Sequence, residues 1–233
     1  RFGRRLFRGR RLLGRRRRIG GLVMARLSKE DLDRIAVAVA AAEARSSGEI
    51  VCVLAHASSH YGHAPILWAA ALALALPGPL LVFTDWPAQH VYLAQVAAFF
   101  ALALVLSLPA LRFALVPRAA KRARAHRAAL QQFFARRVSR TQRHNGVLIY
   151  VSLAERYARI VADDGIAEKV DPQEWQGAVN ALTAAMRAGR IADGFAEAAG
   201  ICGHILARHF PPDGDNRNEL PNRPVVLGPR DTL

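Results

Sequence analysis

Between Pro65 and Leu111 the chain carries one charged side chain, Asp85, set between two uncharged runs, Pro65 to Phe83 and Trp86 to Leu111. Crossing the hydrocarbon core of a bilayer takes about 20 predominantly apolar residues in a helix. The runs hold 19 and 26 residues, the second with His90 near its start, and only Thr84 and Asp85 separate them. They predict a tight two-helix transmembrane hairpin over 65–111. Pro77-Gly78-Pro79 predicts a kink in the first helix, a break that membrane helices tolerate when neighbours satisfy the freed backbone. A shorter, re-entrant first element is one alternative. A buried helix pair in a soluble protein is the other, and two adjacent uncharged runs of this length weigh against it.

Flanking charge sets the orientation of such a hairpin. Arg112, Arg118, Lys121, Arg122, Arg124 and Arg127 follow the second run, and the turn has no basic residue. This bias predicts that the chain after the hairpin is cytoplasmic, with Asp85 on the far side. A two-pass hairpin returns both ends to one side, so the residues before Pro65 are expected there too. Trp68, Trp86 and Tyr92 fit as interfacial anchors. The bilayer is the first expected partner. The basic residues Arg118, Lys121, Arg122, Arg124 and Arg127 are expected to lie along anionic headgroups. Their place directly after a membrane span explains their charge without nucleic acid, which is not expected as a partner.

The remaining charge is concentrated at the start. Lys and Arg total 33 against 18 Asp and Glu, and residues 1–23 hold ten arginines and no acid. Two readings compete: an arm for nucleic acid or anionic lipid, or an upstream in-frame extension that is not translated. The second is favoured, because the first Met is Met24 and an ordinary start follows it; 1–27 is therefore set apart as a basic extension. The run lacks the Ser of a transit peptide, and no apolar segment of signal-peptide type follows it. Cys52 and Cys202 lie far apart in sequence and outside any C-x-x-C, so they read as small buried hydrophobes.

The soluble part is split by the hairpin. Ser28-Lys29-Glu30-Asp31 is a helix N-cap pattern, and Leu32, Ile35, Val39 and Ala42 fall on one face of the helix that follows. Ser46-Ser47-Gly48 ends it, and Glu49 to Ala55 reads as a buried strand. This first part, 28–57, is too small to bury a core alone and needs 117–212. There, Pro117 to about Val138 reads as a basic helix with Ala129, Leu130, Phe133 and Phe134 as its apolar side. Val147–Ser152 and Tyr157–Ala162 read as strands joined by a turn. Asp171-Pro172-Gln173-Glu174 starts a helix to Arg187, with Trp175, Val179, Leu182 and Met186 inward. Asp193-Gly194 opens a last helix, halted by Pro211-Pro212. The 213–233 tail is polar, with Asn218-Glu219-Leu220-Pro221 as a segment that can dock locally. The reading is an α/β chain with a three-strand sheet covered by helices on both faces.

These residues resemble a known family. The Ser47-Gly48-Glu49-Ile50-Val51 strand entry, the Asn145-to-Ile166 segment NGVLIYVSLAERYARIVADDGI and the helix carrying Trp175 are similar to the TPM domain. That family is named after a thylakoid lumen protein, a photosystem II repair protein and a nematode receptor modulator. The resemblance covers roughly 30–55 and 118–212, and looks like the bacterial branch with a membrane hairpin inserted after the first strand. It implies a three-layer α/β/α fold, placement in a bacterial inner membrane, divalent-metal binding, and the weak acid-phosphatase activity of plant relatives. For bacterial members it implies association with membrane complexes. Secreted members have a signal peptide and a continuous domain, which this chain departs from.

Candidate chemistry is sparse. Asp163 and Asp164 follow a strand and precede a Gly, and adjacent carboxylates suit a hard cation such as Ca²⁺ or Mg²⁺. Glu43 or Glu49 can add a ligand. The competing reading is a solvated turn in which Asp caps the next segment. There is no P-loop, no G-x-S-x-G and no H-E-x-x-H. Asp163 as a nucleophile rests on the resemblance alone. His56, His60 and His63, close before the first membrane run, can bind a transition metal or simply form an interfacial linker, and the linker is favoured. The reading is a non-catalytic accessory that holds or helps assemble a membrane complex with a membrane-protein partner. The alternative is a divalent-metal-dependent phosphatase at the membrane surface.

Overall fold

A computed structural model describes residues 27–58, 63–108, 111, 116–212 and 218–228. The arginine-rich start, His60, Arg112 and the side chain of His63 lie outside these residues.

Helix α1, Lys29–Glu43, begins at the Ser28 cap: Asp31 N–H donates to Ser28 Oγ at 3.0 Å and Ser28 N–H donates back to Asp31 Oδ2 at 3.1 Å. This reciprocal box satisfies two of the orphan donors at the helix start. Ile35, Val39 and Ala42 are fully buried, as their spacing predicts. Strand β1, Glu49–Ala55, follows and is buried along its whole length.

The hairpin comes next: α2, His63–Ala75; α3, Pro77–Phe83; and α4, Ala88–Leu106. The break between α2 and α3 at Leu76 falls where the Pro-Gly-Pro triplet predicts it. Ala64–Phe83 and Ala88–Leu106 are each long and apolar enough to cross a membrane. Helix α5, Arg118–Ala135, then leads through a short 3-10 turn, Val138–Arg140, into β2, Gly146–Ser152, and β3, Tyr157–Ala162. Helices α6, Asp164–Ala167, α7, Gln176–Arg187, and α8, Ile191–His209, complete the helical part, and β4 is Val225–Leu227.

The sheet order is β3-β2-β1-β4. β1 pairs in parallel with both β2 and β4, and β2 pairs antiparallel with β3. A parallel pair requires a crossover connection, and here that connection runs from β1 to β2 through the whole hairpin and α5. The apolar helical hairpin is thus an insertion in the central β-α-β crossover.

Period-two alternation along β1 builds the layers. Ile50, Cys52 and Leu54 face a core with α1, α7 and α8, closed by Phe195, Leu182 and Trp175. Val51, Val53 and Ala55 face the opposite core, where Ala129 and Phe133 of α5 pack with Leu148, Tyr150 and Leu227. The result is the three-layer α/β/α arrangement. α1 and α8 approach closely at Gly203, where an added Cβ would meet the Ala42 Cβ at 2.6 Å. Cys52 and Cys202 are free and buried in the first core, as expected of small hydrophobes. Burial pushes the Cys202 thiol up to about 12.

Four differences from the sequence reading stand out. The sheet has four strands, because the tail returns and Val225–Leu227 pair with Val53–Ala55. Asp171 to Trp175 forms tight turns, with Asp171 Oδ1 taking the Gln173 N–H at 2.7 Å, and α7 starts only at Gln176. α8 starts at Ile191, which is buried, so Asp193 sits in the first turn and meets Arg34 at 3.1 Å instead of capping. Phe134 points away from the core while Phe133 is buried.

Candidate functional site

Buried polar side chains gather at the sheet edge where β1 and β2 begin. Glu43, Ser46, Ser47, Glu49, Thr141, Asn145 and Asp163 are all buried there. Asp163 does follow the carboxyl end of β3. Because β3 runs antiparallel to β2, that end coincides with the amino ends of the parallel strands. The crevice outside strand carboxyl ends, where α/β sheets commonly bind ligands, lies at the other edge.

Asp163 is a cap. Its Oδ1 accepts the Asp164 N–H at 2.9 Å, starting α6, and its Oδ2 lies 3.3 Å from His144 Nδ1. Asp164 is exposed. Asp163 N–H donates to the Gly146 carbonyl at 2.9 Å, and Gly146 is the register partner of Glu49. Asp163 and Glu49 therefore flank Gly146, about two strand spacings or roughly 10 Å apart along the backbone.

Glu43 and Glu49 stand together. Glu43, at the end of α1, accepts the Ile50 N–H at 2.8 Å. Burial pushes its carboxyl up to about 8; the nearby Glu49 adds to the rise, and hydrogen bonds from Ile50 and Asn222 oppose it. Glu49 accepts the N–H groups of two successive tail residues, Glu219 at 3.3 Å and Leu220 at 3.1 Å. Its carboxyl is also raised by burial, with these two bonds opposing and the Glu219 charge adding. The Gln142 N–H in turn donates to the Glu219 carboxylate at 3.3 Å. The two glutamates thus latch residues 218–222 across the sheet edge before the tail joins as β4. The sequence suggested local docking for this segment; its anchors on Glu43 and Glu49 were not legible, because nothing in the chain pairs residues so far apart.

Asn145 stitches the same edge. It donates Nδ2 to the Ser47 carbonyl, its N–H bonds Thr141 Oγ1 at 3.1 Å, and its own carbonyl accepts the Glu49 N–H at 3.2 Å. Its Oδ1 is buried with no hydrogen-bond partner among the described residues. Such an oxygen suits a hard cation. The rest of the donor set fits one poorly: both oxygens of Glu49 already accept N–H groups, Asp163 Oδ1 accepts another, and Asp163 Oδ2 lies against His144 Nδ1. Among the described residues no three His, Cys, Asp or Glu side chains converge as a metal-binding group.

A smaller polar group closes the opposite edge, where the chain leaves for the hairpin. Ser58 Oγ and the Tyr150 hydroxyl lie 2.9 Å apart, the Ser58 N–H meets both Glu155 oxygens at 3.1 Å, and Ser152 Oγ donates to Glu155. Burial raises the Tyr150 phenol above its ordinary range, so it stays neutral. His56 joins through its backbone, its N–H on the Leu227 carbonyl at 3.3 Å and its carbonyl on the Ala154 N–H at 3.0 Å. The expected basic residues of α5 are exposed at Arg118, Arg122, Arg124 and Arg127 and half-buried at Lys121.

Comparison with known proteins gives two findings. Residues 109–203 match the family model of the TPM domain. The NMR structure of BA42 protein from the psychrophilic bacterium Bizionia argentinensis superposes with a TM-score of 0.55 over 86 % of this chain and 94 % of that one. Sequence identity there is 21 %, so the likeness is one of fold. No curated protein matches the chain.

Proposed function

From the premise that this chain carries a TPM domain, we propose that it is a two-pass membrane protein whose domain works as a non-catalytic accessory, holding or helping to assemble a membrane complex. The carrying observation is the position of the hairpin inside the β1-to-β2 crossover. A domain built this way is joined to the hairpin by two covalent links, which keep it close to the hairpin. Tethering at the bilayer raises effective concentration toward membrane partners. The exposure of the hairpin supports the membrane: Leu74 is 75 %, Phe83 83 % and Leu104 75 % exposed, a surface that water disfavours. The charge bias around the hairpin supports a cytoplasmic domain, and the inner membrane belongs to the same proposal.

The test is photo-crosslinking from exposed positions of α7 and α8 in native membranes, followed by purification. A discrete membrane-protein adduct, kept when Asp163 and Asp164 are changed to Asn, is the expected result. Phosphate-ester hydrolysis that vanishes in the double variant would replace this reading with the second one, a Ca²⁺- or Mg²⁺-dependent phosphatase at the membrane surface. That second reading draws on the unpartnered Asn145 Oδ1 beside the buried carboxylates. Titration of either cation into the detergent-solubilised chain checks it.

A further inference from the structure

The layer of the domain on the α5 side has a charge composition that the hairpin alone does not require. From Arg112 to Ala154 the sequence holds ten Lys and Arg and no Asp or Glu. The bias runs past the residues next to the membrane, through α5 and its following turn, to Arg136, Arg137, Arg140 and Arg143. Within α5, Ala125, Ala129 and Phe133 pack on the sheet. At 3.6 residues per turn, Arg124, Arg127, Gln131 and Phe134 form a stripe on the opposite side of the helix. Arg124, Arg127, Gln131 and Phe134 are exposed, Phe134 by 64 %. Because the apolar face of α5 is taken up by the sheet, a contact with lipid has to come from this outward stripe, with the cations on anionic headgroups and the exposed Phe134 ring able to enter beside them. The other helical layer lacks this pattern: α1 and α8 carry Glu30, Asp31, Asp33, Asp193 and Glu197.

We infer that the α5 layer is a second membrane contact, in which the Arg124–Arg127–Gln131–Phe134 stripe lies flat on anionic phospholipid with Phe134 inserted. The inference rests on the membrane reading above and adds to it an orientation for the domain. The sheet then lies roughly parallel to the bilayer, with the layer of α1, α7 and α8 presented to the cytoplasm and to partners.

The test uses the full chain in nanodiscs of phosphatidylcholine alone or mixed with phosphatidylglycerol, with spin labels on single introduced cysteines; Cys52 and Cys202 are buried. Leu104→Cys reads the hairpin, Gln131→Cys the stripe and Ala184→Cys the opposite layer. Oxygen and nickel-chelate accessibilities give each label's depth. With anionic lipid, the expected depths are hydrocarbon at 104, headgroup at 131 and water at 184. The label at 131 should return to water in pure phosphatidylcholine, and also when Arg124 and Arg127 are both changed to Glu. A label at 131 that stays in water in anionic discs, with 104 still in hydrocarbon, overturns the inference and leaves the hairpin reading intact. So does a label at 184 that enters the headgroups, or one at 131 released only by added RNA. A label at 104 in water overturns both.

Discussion

The hairpin and the sheet are built from the same kinds of residue and treat them in opposite ways. Leu, Val, Ile and Ala take nine of the fourteen positions of β1 and β2, and all fourteen are buried. The same residue types fill α2 to α4, yet Leu67, Leu74, Val82, Phe83, Phe100 and Leu104 stand outward. Burial of the strands is explained by the protein itself. Exposure of the helices is not explained by the protein's own packing, and a second apolar solvent, as proposed above, would account for it. The contrast separates a fold stabilised by its own packing from one stabilised by its surroundings.

Mutations should split along that line. Phe195→Ala, at a fully buried position, is expected to destabilise the domain by about 3–5 kcal/mol, read as a lower denaturant midpoint in detergent. Phe100→Arg, at a position 66 % exposed, should leave that midpoint nearly unchanged. Its cost should fall on insertion, at about 2.5–3.5 kcal/mol near a helix centre, read as loss from the membrane fraction. Equal effects of the two substitutions on the domain midpoint would erase the comparison.

The buried carboxylates add a pH signature confined to the domain. An unfolded Glu43 ionises near 4.5, but in the folded domain its carboxyl is held up to about 8. Between these values the folded state binds the extra proton, so stability is highest below about 4.5 and falls as pH rises toward 8, by an amount on the order of a few kcal/mol. Glu49 is shifted in the same direction. Glu43→Gln should flatten most of this decline, measured as denaturant midpoints at intervals from pH 4.5 to 8.5. A wild-type midpoint that rises over that window would contradict the placement of Glu43.

A smaller effect should appear at the latch. Glu49→Ala removes the acceptor of the Glu219 and Leu220 N–H groups, at about 1–3 kcal/mol. The expected readout is faster amide exchange over 218–227, with β2 protected as before. The smallest effect is at the α1 cap, where Ser28→Ala should cost about 1 kcal/mol.

Much of this was legible in the chain because the local signals agree with the global fold. The capping box at Ser28, the alternation of β1 and the uncharged runs each point one way. Strand β4 was not legible, since three residues between Pro224 and Gly228 show no usable period. The direction of β3 relative to β1 also decides which edge receives Asp163, and strand pairing is a long-range property that residue spacing does not carry. Glu49 opens a strand and reads as an ordinary end charge until the tail is seen to close over it. The orphaned Asn145 Oδ1 had one sequence signal, the Asn-Gly break before β2, and that reads first as a turn.

The central claim is that the sheet closes around a chain segment that crosses the membrane and returns. Single cysteines at Thr84 and Ala184, probed with a membrane-impermeant maleimide on intact spheroplasts, test it most directly, because the native cysteines are buried and Ala184 is exposed. The account predicts labelling at 84 before lysis and at 184 only after permeabilisation. Labelling of both positions before lysis, or of 184 alone, would contradict it.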